Sequence, residues 1–255
     1  MKWRLWVLIG AVLAVVIVTF CLPPIPQSEA YHNFADQRTL LGIPHCLDVL
    51  SNVFFLIVGL MGIRLVSRNR EQNGPAFARP LEGWPYLAFF AAIALTAFGS
   101  AYYHLHPDDQ RLVWDRIPIT LSVMSLLAAT LGERICIRTA SWLLAPLLLL
   151  GAYSAIYWER TQAAGHGDLR PYGLAQYGSM LILLLLIALF PPRYTRGTDL
   201  LVSLAIYGVA KIFEAADRPI FALGGVVSGH TLKHVAAAVS AYWILRMLAL
   251  RKPIT

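Results

Sequence analysis

The sequence predicts an all-α fold: a polytopic membrane helical bundle with a seven-helix core and one further helix at the N-terminus. Three observations carry that expectation. Of the 255 residues, 58% are hydrophobic and only 14% charged, whereas a soluble domain is about a quarter charged. The mean hydropathy is +0.61. The apolar residues also gather in eight runs, each close to the ~20 residues that cross hydrocarbon. A single soluble core cannot hide that much apolar surface, but a bilayer solvates it directly.

The first run, 5–22, follows Met1-Lys2-Trp3-Arg4 and looks like a signal sequence, with Ser28-Glu29-Ala30 as a small-x-small cleavage pattern. The run is long for a cleaved leader and Leu22-Pro23-Pro24 intervenes. A retained anchor over 1–30 is therefore expected, with the seven-helix domain over 31–255. The second run, 47–66, stops before Asn73-Gly74-Pro75. The third, 83–104, and the fourth, 112–131, are joined by a tight turn, His106-Pro107-Asp108-Asp109, in which Asp108 or Asp109 can cap the next helix. The fifth, 141–158, and the sixth, 173–190, flank Gly165-His166-Gly167-Asp168. Pro191-Pro192 precedes the seventh, 198–216, and the eighth covers 230–249. No soluble domain, low-complexity tract or clear repeat interrupts the pattern.

The charges set an orientation. With the N-terminus in the cytoplasm, inside segments hold 13 of the 21 basic residues and four acids, and the outer loops and helix ends hold 8 basic and 10 acidic residues. That asymmetry obeys the positive-inside rule and places the C-terminus in the cytoplasm too. The net charge of +7 sits in short loops, so no nucleic-acid module is expected. Cys21, Cys46 and Cys136 lack paired C-x-x-C spacing, which argues against a thiolate metal site.

All seven histidines, His32, His45, His104, His106, His166, His230 and His234, fall on the outer side, which points to metal or proton chemistry there. His230 and His234 are i, i+4 and share a face of the last helix. His104 ends the third span on the same side, with Ser100 one turn deeper. Asp115 lies near the outer end of the fourth span, just past the tight turn. Three imidazoles make a catalytic zinc set that leaves a position open for water. A carboxylate can then move the proton, and a hydroxyl can support a developing oxyanion. Isolated polar residues bonded between helices are the plainer reading, but a carboxylate beside three histidines in a membrane is costly without a role.

The ordered set Ser100-x-x-x-His104, then Asp115, then His230-x-x-x-His234 on the final helix resembles the CREST superfamily of membrane hydrolases, and its spacing is most similar to the alkaline ceramidases. Leu47-Asp48-Val49-Leu50-Ser51-Asn52 also resembles the start of their first core helix. The resemblance covers about residues 31–250. It implies zinc on His104, His230 and His234, Asp115 as general base, Ser100 supporting the water or oxyanion, and hydrolysis of a lipid amide to a fatty acid and a sphingoid-like amine. The implied partners are the bilayer and a membrane lipid substrate. In residues 31–48, Asn33, Asp36, His45 and Asp48 make no clear match to the family's acidic calcium-binding segment, so calcium is not carried over. Short loops and the signal-like N-terminus point to a bacterial inner membrane, with the site facing the periplasm.

Lys211, Glu214, Asp217 and Arg218 cluster at the outer end of the seventh span, where Lys211–Glu214 and Glu214–Arg218 pairs are expected as a structural network, or else as a headgroup patch. Asp48 and Asn52 can bond between helices or support the histidines. Tyr102, Tyr103, Trp114, Tyr157 and Trp158 read as an interfacial aromatic belt, and Arg246 to Lys252 as a cytoplasmic anchor. Beside the hydrolase, two other readings remain: a receptor-like or regulatory superfamily member with a structural zinc, and a haem carrier, which leaves Asp115 and Ser100 without a role. Acyl chain, headgroup and oligomeric state are not encoded legibly.

Overall fold

The computed structural model describes residues 2–72 and 74–254, so Met1, Thr255 and the Asn73 of the expected turn lie outside the described residues. The described residues are helical throughout, apart from loops and two isolated bridges, Leu40 with Ile43 and Tyr194 with Pro253. The helices are α1 (Lys2–Cys21), α2 (Cys46–Leu50), α3 (Val53–Glu71), α4 (Gly83–Leu105), α5 (Asp109–Arg134), α6 (Ile137–Ala163), α7 (Arg170–Gly173), α8 (Ser179–Leu189), α9 (Asp199–Ala215), α10 (Asp217–Ala222) and α11 (Gly229–Leu250).

The expected eight runs are therefore not the count of helices. The second run is broken at Ser51-Asn52 between α2 and α3. The sixth is interrupted by one π turn, Leu174–Gly178, between α7 and α8, and α10 is an extra short helix. Six segments are long and apolar enough to cross a membrane: Lys2–Cys21, Cys46–Glu71, Pro80–Leu105, Asp109–Arg134, Ile137–Ala163 and Arg170–Leu189. The chain is a helical membrane protein by this measure. The other two expected spans fall outside that set for visible reasons: α9 has only 17 residues, and α11 carries His230, Lys233 and His234 in its first two turns.

Helix α5 sits at the centre, between α4, α6 and α8. Its interior is lined by small and hydroxyl residues, whose side chains are satisfied within the helix: Ser125 Oγ donates to the Leu121 carbonyl at 2.7 Å and Thr130 Oγ1 to the Leu126 carbonyl at 2.9 Å. Such residues let helices approach without leaving a polar group bare in hydrocarbon. Helix α11 packs on α9 and α3. Helix α1 is peripheral, against α8, with Leu8 its one buried residue. Outward faces carry exposed Phe98, Leu143, Leu149, Leu150 and Leu184, a surface suited to lipid rather than water.

The loops meet at two ends. At one end Gln162 bonds Gln27, and Leu169 N donates to the Ile25 carbonyl at 2.8 Å. At the other, Arg251 pairs with Glu133 at 2.5 Å while Tyr194 donates to Glu82. The expected basic anchor at Arg246 to Lys252 is corrected here: Arg251 is 2% exposed and clamps the C-terminal segment to α5 and to the Ala76 carbonyl.

Candidate metal and catalytic site

The expected cap between α4 and α5 forms at Asp108, whose carboxylate accepts from Arg111 N at 2.7 Å. The turn brings the start of α5 back beside the end of α4. A glycine permits the close approach: a Cβ on Gly99 would meet the Trp114 carbonyl oxygen at 2.1 Å. Ser100 and Asp115, the residues next to those two, therefore reach the same interior cavity. At the start of α11, a Cβ on Gly229 would meet the Phe213 carbonyl at 2.3 Å, so glycine lets His230 enter the bundle tightly against α9.

His104, His230 and His234 are all buried, and their ligand atoms lie within 4.8 Å of one another. His230 Nε2 is 3.2 Å from His104 Nε2. Two nitrogens at the usual zinc distance in a tetrahedral site would be about 3.3 Å apart, so the spacing suits a shared ion. Tautomers point the same way. Ser51 Oγ gives its proton to the Asp48 carbonyl at 3.1 Å and can therefore accept from His234 Nδ1–H at 2.8 Å. That leaves His234 Nε2 with a bare lone pair, and it has no hydrogen-bond partner among the described residues. A histidine held through one nitrogen and free at the other is the form that binds metal. The three residues can hold a metal ion.

Several supports were not legible in advance. Ser51 lies within residues 47–52, where the one-turn spacing points to Asp48 and Asn52 instead. Asp48 accepts from Ser228 at 3.0 Å and Thr231 at 2.5 Å, fixing the start of α11 rather than touching a histidine. Lys233, between the two α11 histidines, is half-buried with Nζ 2.9 Å from Glu214 and 3.1 Å from His230 Nε2. A lysine inside H-x-x-x-H in a membrane helix was the available signal. Glu214 pairs with Lys211 and Lys233. The expected Glu214–Arg218 pair does not form: Arg218 donates to the Asn33 carbonyl at 3.2 Å. Asp217 accepts from His230 N and from Ala35 N, both at 2.8 Å.

No protein-family model matches the chain, and no curated protein matches it. The chemistry therefore rests on the site itself.

Above the histidines lies the segment 31–45. The Phe34 ring sits 4.7 Å from His104 and 4.4 Å from His230, centroid to centroid, and closes that face. Its sequence signal is slight: one of two aromatics, with Tyr31, in a mixed loop segment. The segment is tied down by Arg38, which grips Asp36 through Nε and Nη2 at 2.7 and 2.6 Å and also bonds the Gly225 and Val226 carbonyls. The Arg38 guanidinium holds the Asp36 carboxyl below its ordinary value of 3.8.

The expected aromatic belt is partly corrected. Tyr102 and Trp114 are exposed, whereas Tyr103 and Trp158 are fully buried. Tyr103 packs on Phe34 and His104, and Trp158 stacks on the Arg116 guanidinium at 3.9 Å.

A cavity opens beside this site and runs along α5. Its polar end holds Ser100, Asp115, Arg116, Glu214, Lys233 and His234, and its far end is walled by Phe89, Ile93, Leu126, Leu183 and Leu204. Along α5 the walls run from Asp115 to Leu126, about 17 Å at 1.5 Å per residue. The chamber is polar at the histidine end and greasy at the other, which matches the two halves of an amphiphile.

Proposed function

We propose that this chain is a zinc-dependent membrane hydrolase that cleaves the amide bond of a ceramide-like lipid, releasing a fatty acid and a sphingoid-like amine. The observation that carries the proposal is a cluster of three buried imidazoles, one of which, His234, lines an amphiphilic cavity together with Asp115 and Ser100. The resemblance to alkaline ceramidases supports the same reading, with residues 31–255 as a seven-helix core and α1 as an anchor. The charge asymmetry supports a site on the extracytoplasmic side, and the short loops and signal-like N-terminus support a bacterial inner membrane, with the site then facing the periplasm.

In this reading His104, His230 and His234 hold the ion. Zinc, when bound, would supply a water acidified toward neutral pH and a polarised amide carbonyl. Asp115 accepts the proton of the attacking water on a carboxylate oxygen as the C–O bond forms. It returns that proton to the amine nitrogen as the C–N bond breaks, so that acid and amine leave with the atoms of one water. Ser100 Oγ donates to the oxygen that gains charge. The apolar walls hold the acyl chain and exclude water from the reacting carbonyl.

The test is metal content and turnover of long-chain acyl amides on the same preparations. Asp115→Asn keeps size but cannot accept the proton, so it should retain zinc while hydrolysis falls by about two to four powers of ten. Ser100→Ala should retain zinc and lose less. His230→Ala should lose zinc. A His230→Ala protein with a full equivalent of zinc would overturn the ligand set, and a fully active Asp115→Asn would remove the base.

A further inference from the structure

The polar end of the cavity carries more positive charge than its carboxylates balance. Three cations line it, Arg116, Lys211 and Lys233, against Asp115 and Glu214. Both lysines converge on Glu214. Arg116 is 4% exposed and no carboxylate pairs with it among the described residues. Its Nη2 donates to the neutral Gln27 amide oxygen, and its Nη1 is buried with no hydrogen-bond partner. The guanidinium is instead packed over rings, its carbon 3.9 Å from the Trp158 centroid and 4.6 Å from that of Tyr172.

Cation–π contact steadies a guanidinium but leaves its in-plane N–H donors free. A buried cation without a counter-ion is costly in any protein and more so at membrane depth. Arg116 lines the same cavity as Ser100, Asp115 and His234, so its guanidinium belongs to the reacting end rather than to a remote pocket. The apolar walls that continue inward from there fit an alkyl chain.

We propose that Arg116 is the recognition point for an anionic headgroup, so that the cavity takes an acyl lipid carrying a carboxylate or phosphate in preference to a neutral one. The planar fork of arginine suits two oxygens of such a group better than a single hydroxyl. Arg116 is a binding residue in this assignment and takes no proton. The proposal rests on the amide-hydrolase reading for the remainder of the ligand, but binding alone can test it.

Calorimetric titration of the purified protein in detergent would compare N-palmitoylglycine with N-palmitoylethanolamine, which share chain and amide and differ in headgroup charge. Inorganic phosphate would serve as the chain-free anion. The acidic lipid should bind about ten to a hundredfold more tightly than the neutral one, the range for a hydrogen bond to a charged group, and phosphate alone should bind far more weakly than the acidic lipid. Arg116→Gln should erase the preference, with far-UV circular dichroism and thermal unfolding of the same samples reporting that the variant is folded. Arg116→Lys should keep part of it. Equal affinity for both lipids in the native protein, a preference that survives Arg116→Gln, or phosphate binding as tightly as the acidic lipid would each overturn the assignment; the second would place the anion on the metal. Turnover separates the two readings. Hydrolysis with no headgroup preference in binding refutes Arg116 alone, whereas an Arg116-dependent preference with no hydrolysis of either amide refutes the hydrolase alone.

Discussion

The Ser51–His234 contact is the most direct test of how the fold prepares the metal site. Ser51 sits in the break between α2 and α3, is buried, and can accept His234 Nδ1–H at 2.8 Å because its own proton is spent on the Asp48 carbonyl. Ser51→Ala removes the acceptor and little volume. Two effects follow. The imidazole loses the bond that selects its tautomer and fixes its ring, which elsewhere costs metal ligands about ten to a hundredfold in affinity. The buried N–H is also left unsatisfied, at about 1–3 kcal/mol of stability. The assay is competition between the purified protein and a zinc chelator of known affinity, read beside thermal unfolding of the same samples. Ser125→Ala is the control, because Ser125 is equally buried but bonds the Leu121 carbonyl in the middle of α5. The expected result is weaker zinc binding in Ser51→Ala and unchanged binding in Ser125→Ala. Native zinc affinity in Ser51→Ala would refute the tautomer argument. Equal weakening in both would show that general softening of the bundle, and not ring orientation, sets the affinity.

At the opposite end, Glu133→Gln breaks the pair with the buried Arg251 and should cost about 3–5 kcal/mol in unfolding experiments, while zinc affinity stays at the native level because the histidines lie at the other end of the helices. Asp36 makes a pH prediction: its carboxyl is held below 3.8 by Arg38, so the folded state binds its proton less readily than the unfolded chain. Its stabilisation of segment 31–45 is fully present above that value and is lost as pH falls through the depressed one; hydrogen-exchange protection factors of the segment, corrected for the intrinsic rate at each pH, should thus be flat from neutral pH down to about 4 and fall only in stronger acid. Phe34→Ala should speed extraction of zinc by a chelator without moving the equilibrium affinity much, since Phe34 covers two imidazoles but donates no ligand; an unchanged extraction rate would mean that the metal leaves by another route.

The sequence by itself determined the class of fold and the three histidines that could hold a metal ion. Apolar runs near bilayer length can satisfy their backbone only as helices, and charge in the breaks orders those helices across the membrane. The i, i+4 spacing of His230 and His234 places them on one face before any tertiary contact forms, and the Asp108 turn returns Asp115 toward Ser100 by local chain geometry. What crosses between distant segments was decided only by the tertiary structure. Ser51 meets His234 across 183 residues of chain, Phe34 closes over two helices that it does not adjoin, and Lys233 rather than Arg218 completes the Glu214 pairing. A periodic pattern records which face of a helix is apolar, but not which neighbour that face meets or how closely. Glycines at positions 99 and 229 set those approaches, and they are recognisable as contact points only once the partner backbone is in place. Arg116 shows the same limit: in sequence it is one more outer-side cation, and only packing against Trp158 and Tyr172, with no carboxylate paired to it among the described residues, makes it a buried charge.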